Sequence, residues 1–187
     1  DTTTCLVADG TGNVIAATPS GWSGVVAGKT GVWLGSRLQS FNIWKDSPNV
    51  IEPGKRPRIT LTPSLVFKDG KPVVAVSVAG GDEQDQTSLQ LILNHIDFGL
   101  PPAESVTAPR FGTSHHLGSF RQTPPVIGDL HMNLDVGEST IEALKSRGHK
   151  VVTKAPSSAP CVIAIDAKSA KLDAAGDPKA RRHAAAF

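Results

Sequence analysis

Thr2, Thr3 and Thr4 stand together at the start of the chain and lead straight into the apolar run Cys5-Leu6-Val7-Ala8. A threonine hydroxyl is a poor nucleophile until a base lies beside it, and an N-terminal threonine carries such a base in its own α-amine. That amine titrates at about 7.7–8.0 in model peptides, so a useful fraction is unprotonated near neutral pH. Threonine runs also open strands for no reason beyond β-propensity, so the cluster alone is a weak pointer. A second feature is Val78-Ala79-Gly80-Gly81-Asp82, between an apolar run and a helix-period segment. Consecutive glycines let backbone approach a substrate closely, and the free N–H groups of a helix start face developing negative charge, as in an oxyanion hole. A tight turn needing positive φ accounts equally well for the glycines alone.

Other chemistries find less support. The six histidines are scattered, and His115-His116 are adjacent, so they cannot share a ligand face as an i, i+4 pair would. Cys5 and Cys161 fit no zinc or redox spacing and read as two small buried apolar residues. No metal or cofactor is expected. A formal charge of +2, 39% hydrophobic and 19% charged residues describe an ordinary globular chain. The basic residues form no stripe interleaved with aromatics, which argues against a nucleic-acid partner. No apolar run reaches the roughly 20 residues of a membrane span, so a soluble protein is expected.

The elements that must position these residues follow from periodicity. Cys5 to Ala8 and Val14 to Ala17 flank Gly10-Thr11-Gly12-Asn13 as a hairpin. Leu65 to Phe67 and Val73 to Val78 flank Asp69-Gly70 as another, and the second strand is so continuously apolar that burial on both faces is expected. Leu89, Ile92, Leu93 and Ile96 mark the face of an amphipathic helix stopped near Gly99. A short helical turn over Ala103 to Val106 and a helix from Ser139 to Arg147 follow, the latter ended by Gly148. Strands are expected over Val151 to Thr153, Val162 to Ile165 and near Ala170 to Ala174. Residues 39–57 and 112–125 read as irregular. At 187 residues without repeats, one domain over residues 1–187 is the working division.

Taken together, these residues resemble the small subunit of gamma-glutamyltranspeptidases, which opens on Thr-Thr-His, a strand, an Asp and a Gly-Asn turn. Thr2-Thr3-Thr4, Asp9 and Gly12-Asn13 fall in register with that opening. The likeness continues through Gly24 to Gly28 with Gly31, Pro53-Gly54-Lys55-Arg56-Pro57, Thr62-Pro63, Asp69-Gly70 and Gly80-Gly81. It runs on through Asn94 to Gly99, Ala108-Pro109-Arg110-Phe111 and Asp177-Pro178-Lys179, so essentially the full chain takes part. The resemblance implies an α+β N-terminal-nucleophile fold, a four-layer αββα sandwich completed by a large subunit cut from the same precursor. It also implies cleavage of a small amide through a covalent threonyl ester, with hydrolysis or acyl transfer to follow. Thr2 is then the nucleophile, Gly80 and Gly81 give the oxyanion N–H groups, and Ser20 stands where the family keeps a supporting threonine.

Candidate substrate-binding residues on the same basis are Trp22, Ser40, Thr60 and Asp82, and several depart from the family pattern. Ser40 precedes Phe41 where the family places an Asp that holds the substrate α-amine. Ile59-Thr60 stands for a Ser-Ser pair that holds the α-carboxylate, and Trp22 lies near a substrate-contacting Asn. Loss of a counter-charge for a buried ammonium weakens recognition by several kcal/mol. Glutathione is therefore not expected to be the natural substrate, with a true gamma-glutamyltransferase and a catalytically silent relative as the rival readings. An attached Asp1 leaves Thr2 without a free α-amine, so Asp1 reads as a retained precursor residue, as the result of a cut one bond early, or as the mark of an unprocessed or inactive relative. A periplasmic or extracellular location is inherited from the family by analogy only.

Overall fold

The computed structural model describes residues 2–155 and 157–187; the question posed by Asp1 falls outside them. Two hairpins open the chain. β1 (Cys5–Ala8) pairs antiparallel with β2 (Val14–Ala17), Cys5 opposite Ala17 and Ala8 opposite Val14. Its turn is closed by the Asp9 carboxylate, which accepts from the backbone N–H groups of Thr11 and Asn13 at 2.9 Å each and from the Asn13 side chain at 2.8 Å. These bonds, the Asn13 side chain foremost, hold the Asp9 carboxyl well below the usual carboxylate range. β3 (Trp22–Val26) pairs with β4 (Trp33–Gly35) around a register shift, and one 3-10 turn, Arg37–Ser40, follows.

A third hairpin joins β5 (Ser64–Lys68) to β6 (Lys71–Ala79) through Asp69-Gly70, both at positive φ. The chain then passes through a 3-10 turn, Gly81–Glu83, into α1 (Gln84–Ile96), and on to α2 (Pro102–Thr107). β7 (Phe111–Gly112), β8 (Asp129–Met132), α3 (Glu138–Ser146) and β9 (Lys150–Thr153) form a peripheral unit. β8 and β9 are parallel, a pairing that a tight turn cannot make and that α3 bridges. β10 (Ala159–Ile165) and β11 (Leu172–Gly176) complete the central sheet in the order β11-β10-β6-β5, antiparallel throughout.

Period-2 alternation gives β6 two different faces. Val74, Val76 and Val78 join Leu91 of α1, Val106 of α2 and Val162 of β10 in the core, each almost fully buried. Each such side chain contributes about 1.5–3 kcal/mol relative to exposure. Ser77 points the other way, toward the first hairpin: its hydroxyl donates to the Ala17 carbonyl at 2.9 Å and lies 2.8 Å from Thr18 Oγ1. The described residues thus build helices on one face of the central sheet and the β1–β2 hairpin on the other. β6 is buried from Val74 to Ala79, as its composition predicts.

Two expectations are corrected, and several strands were not anticipated. α1 forms where expected, but its buried residues are Gln84, Thr87, Ser88 and Leu91, while Leu89, Leu93 and Ile96 are exposed. The side facing β6 is narrow and tied by hydroxyls, including Thr87 Oγ1 to Ser158 Oγ at 3.1 Å, so the leucine stripe points outward. The cysteines are not both buried: Cys5 faces away from the sheet on β1 and is exposed, while Cys161 is half-buried, 3.3 Å from Thr4 Oγ1. Burial raises the Cys161 thiol above its ordinary value. The glycine-rich β3 and β4 and the two-residue β7 carried no periodicity to find them by.

Candidate active site

Strand alternation separates the three threonines. Thr2 and Thr4 are half-buried toward the central sheet and Thr3 is exposed on the opposite side. Thr2 and Ser20 form an antiparallel bridge, reinforced by Thr3 N–H donating to the Pro19 carbonyl at 3.1 Å, so the start of the chain runs beside the exit of β2. The bridge brings Thr2 Oγ1 to 2.7 Å from Ser20 Oγ. Arg182 reaches the Thr2 carbonyl from the C-terminal tail at 3.5 Å. Thr2, Ser20, Trp22 and Gly81 line one cavity of about 340 Å³, together with Arg37 and Phe120.

The glycine pair lies at the junction between β6 and α1, in conformations that other residues avoid. Gly80 has φ +155° and ψ 24°, and a Cβ there would sit 3.0 Å from Ser158 Cα; Gly81 has φ +60°. Gln84, fully buried, holds the junction. The orientation of its amide that suits every neighbour donates to the Val78 and Thr60 carbonyls at 2.7 and 2.8 Å and accepts from Gly81 N–H at 3.3 Å. That last bond is long, which leaves Gly81 N–H weakly engaged beside Thr2.

The remaining candidates are distributed around this centre. Asp82 accepts from Ser119 through both carboxylate oxygens, one bond from the backbone N–H at 2.8 Å, and has His116 Nε2 at 3.9 Å. It pins the loop that carries Phe120, and with Gly80 it lines a second cavity of about 520 Å³ that shares Phe120 with the first. Trp22 is exposed and stacks on Trp33 with ring centroids 6.0 Å apart. Ser40 and Thr60 are buried and do not line the Thr2 cavity. Ser40 accepts at its carbonyl from Asn49 Nδ2 at 2.6 Å, and its hydroxyl has no partner. Thr60 Oγ1 accepts from an Arg37 guanidinium N–H at 3.4 Å, which connects it to the cavity indirectly.

Arg37 and Phe120 were not anticipated. Arg37 lies with its Cζ 5.7 Å from the Phe120 ring centroid, and burial pulls its guanidinium below its ordinary value. A signal was present in the sequence: no Asp or Glu occurs between Asp9 and Asp46, so this arginine is carried by a stretch without a local counter-charge. A second polar cluster joins Glu83 to Lys154 at 2.7 Å, to the Ser157 hydroxyl and to His131 Nε2 at 3.2 Å, with Asp129 3.6 Å from His131 Nδ1. Burial alone would raise the Glu83 carboxyl, but the Lys154 and Ser157 bonds outweigh it and hold it low. The cluster ties the entrance of α1 to the peripheral sheet. Among the described residues no group of three or more His, Cys, Asp or Glu is placed to hold a metal ion, and no helix is long and apolar enough to cross a membrane.

A β-hairpin laid against one face of a central antiparallel sheet, with helices on the other face, agrees with the N-terminal-nucleophile hydrolase fold, α+β in class. The Helicobacter pylori gamma-glutamyltranspeptidase T380A mutant superposes with a TM-score of 0.77 at 26% identity, over 95% of this chain and 99% of that one. The family model for gamma-glutamyltranspeptidase matches residues 1–187, and the chain belongs to that family. Its relatives include the glutathione hydrolase proenzyme of Escherichia coli K12, 33% identical over 82% of this chain and 27% of that protein. The acylase ACY 1 proenzyme of Pseudomonas sp. strain V22 is 33% identical over 81% of this chain and 26% of that protein. The chain therefore spans about a quarter of the length of these curated relatives.

Proposed function

We propose that this chain is the nucleophile-bearing part of an amidohydrolase or acyltransferase that cleaves a small amide through a threonyl ester. The observation that carries the reading is the 2.7 Å contact between Thr2 Oγ1 and Ser20 Oγ, in a cavity that Gly81 also lines. Once a peptide bond ahead of Thr2 is cut, its α-amine takes the hydroxyl proton as Oγ1 adds to the substrate's carbonyl carbon. The negative charge that appears on the carbonyl oxygen is met by the N–H groups of Gly80 and Gly81. Collapse breaks the C–N bond, the leaving amine takes the proton from the Thr2 ammonium, and the acyl group remains on Oγ1. Water or an acceptor amine then adds to the ester, giving up a proton to the same α-amine, and Oγ1 leaves as that proton returns to it, which restores the hydroxyl and the free amine. Ser20 fixes the direction of the attacking lone pair.

The relatives named as proenzymes support a precursor that divides into this chain and a larger partner subunit. A small-molecule amide other than glutathione is the substrate of the leading reading, and the acylase relative supports it. The Escherichia coli glutathione hydrolase favours the rival, a true gamma-glutamyltransferase. The test is made on the full-length protein. Thr2→Ala should leave the precursor uncut and abolish turnover while preserving the melting temperature, and mass measurement of the wild-type small chain should show Thr2 first. Near-normal turnover in Thr2→Ala, or a mature chain that retains Asp1, defeats the mechanism. A clear preference of wild type for γ-glutamyl over simpler acyl amides promotes the rival.

A further inference from the structure

Arg37 is an unusual occupant of a cavity whose described walls contain no acidic side chain. Among the described residues its Nε is buried without a hydrogen-bond partner, its one side-chain hydrogen bond is the 3.4 Å contact to Thr60, and no carboxylate lies within ion-pairing distance. A buried guanidinium N–H left unmatched is costly; Arg58, Arg110 and Arg182 share such an Nε, but of the four only Arg37 lines the Thr2 cavity, where a ligand carboxylate would complete it.

The surroundings hold the side chain in place. Ser36 N–H donates to the Gly21 carbonyl at 2.7 Å, which locks the start of the 3-10 turn to the residue after Ser20. Gly21 has φ +83°, and a Cβ on it would come within 3.2 Å of Arg37 Nε, so glycine there leaves the guanidinium its room. Phe120 gives the cation an aromatic surface, and Asp82 fixes Phe120 through its neighbour Ser119. Two neighbouring positions thus converge on seating one cation in the cavity that contains the nucleophile.

We infer that Arg37 is the specificity-determining residue of the acyl pocket and that it binds a carboxylate at the far end of the substrate's acyl group. This rests on the reading of Thr2 as an acyl-accepting nucleophile. A planar guanidinium with free N–H groups matches a carboxylate in a two-point fork and repels an ammonium. The γ-glutamyl group carries both charges on its α-carbon, and removing the ammonium while keeping the carboxylate gives a glutaryl group. The substrate class is the monoamide of a short dicarboxylic acid, and a cavity of about 340 Å³ lies in the range of small-molecule sites.

The test uses the processed full-length protein with glutaryl, γ-glutamyl and butyryl p-nitroanilides, and measures binding of glutarate and butyrate by calorimetry. Wild type should favour glutaryl over butyryl in kcat/KM and bind glutarate but not butyrate. Arg37→Gln should lower the glutaryl-to-butyryl ratio on the order of 10–100-fold, mainly through KM, and abolish glutarate binding. Arg37→Lys, which keeps the charge without the fork, should restore part of it. If amides are cleaved without preference and Arg37→Gln changes neither ratio nor binding, the inference falls while the nucleophile assignment stands. If glutarate binds through Arg37 but no amide is turned over, the inference stands and the hydrolase reading falls. If Arg37→Gln does not fold, an Arg37→Lys protein with wild-type ratio and affinity overturns the inference.

Discussion

A carboxylate at position 40 would sit one 3-10 turn from Arg37, and side chains three apart on such a turn eclipse one another. Ser40→Asp alone therefore supplies its charge to Arg37 rather than to a substrate ammonium, and we expect γ-glutamyl turnover to stay low in it. The double variant Arg37→Gln, Ser40→Asp frees the carboxylate, and kcat/KM for γ-glutamyl p-nitroanilide should rise on the order of tenfold or more over the single variant. A single variant that already gains as much shows that Arg37 does not govern the choice. The reading that position 40 carries Ser where the resemblance implies an Asp rests on the sequence register of Ser40-Phe41 alone. Arg37 was only hinted at by the acid-free stretch around it, because its surroundings come from Gly21, Thr60 and Phe120, which converge only in the folded chain. Among the threonines the sequence alone offered three hydroxyls, and the bridge to Ser20 distinguishes Thr2 physically.

The junction between β6 and α1 shows how two adjacent glycines can serve different ends. Gly80 is enclosed: a Cβ would press to 3.0 Å on both Ser158 Cα and Cβ. Gly81 is open, with Phe120 Cε2 at 3.7 Å as its nearest neighbour, and its demand is the left-handed φ of +60°. Gly80→Ala should thus lower the melting temperature more than Gly81→Ala, whose strain is about 1–2 kcal/mol. Gly81→Ala should fold and lose kcat on the order of 10²-fold, because relief of the strain swings its N–H away from the substrate oxygen. Melting curves and single-turnover rates on both variants check this, and an unchanged rate in Gly81→Ala reduces the pair to a turn. Sequence period found α1 and its glycine stop, since a 3.6-residue repeat of leucines declares a helix whatever it faces. It misjudged the packed side because that side carries Gln84, Thr87 and Ser88 beside Leu91, and polar residues there interrupt the apolar repeat that marks a buried face. Two segments noted separately in the sequence, around Arg110 and Asp177, turn out to be joined by a buried ion pair of 2.7 Å; no local pattern can announce a partnership 67 residues apart.

The described residues supply three layers of a four-layer arrangement: helices α1 and α2, the central sheet, and the β1–β2 hairpin laid across it. That hairpin turns Val7 and Ile15 outward, 53% and 60% exposed, on the side where the fourth layer belongs. Leu89, Leu93 and Ile96 on α1 leave a second apolar surface on the opposite side. A two-stranded sheet is marginal in water unless other elements cover it, and exposed apolar strand surface invites association. Residues 2–187 produced alone should therefore aggregate or bind a hydrophobic dye without a cooperative thermal transition. The same residues released from the full-length precursor should melt cooperatively together with the remainder of the protein. Size-exclusion chromatography and calorimetry on both preparations make the comparison. A monodisperse, cooperatively melting isolated chain would show that the central sheet, held by the valine core and the Arg110–Asp177 pair, is sufficient without the missing layer. The fold would then be autonomous.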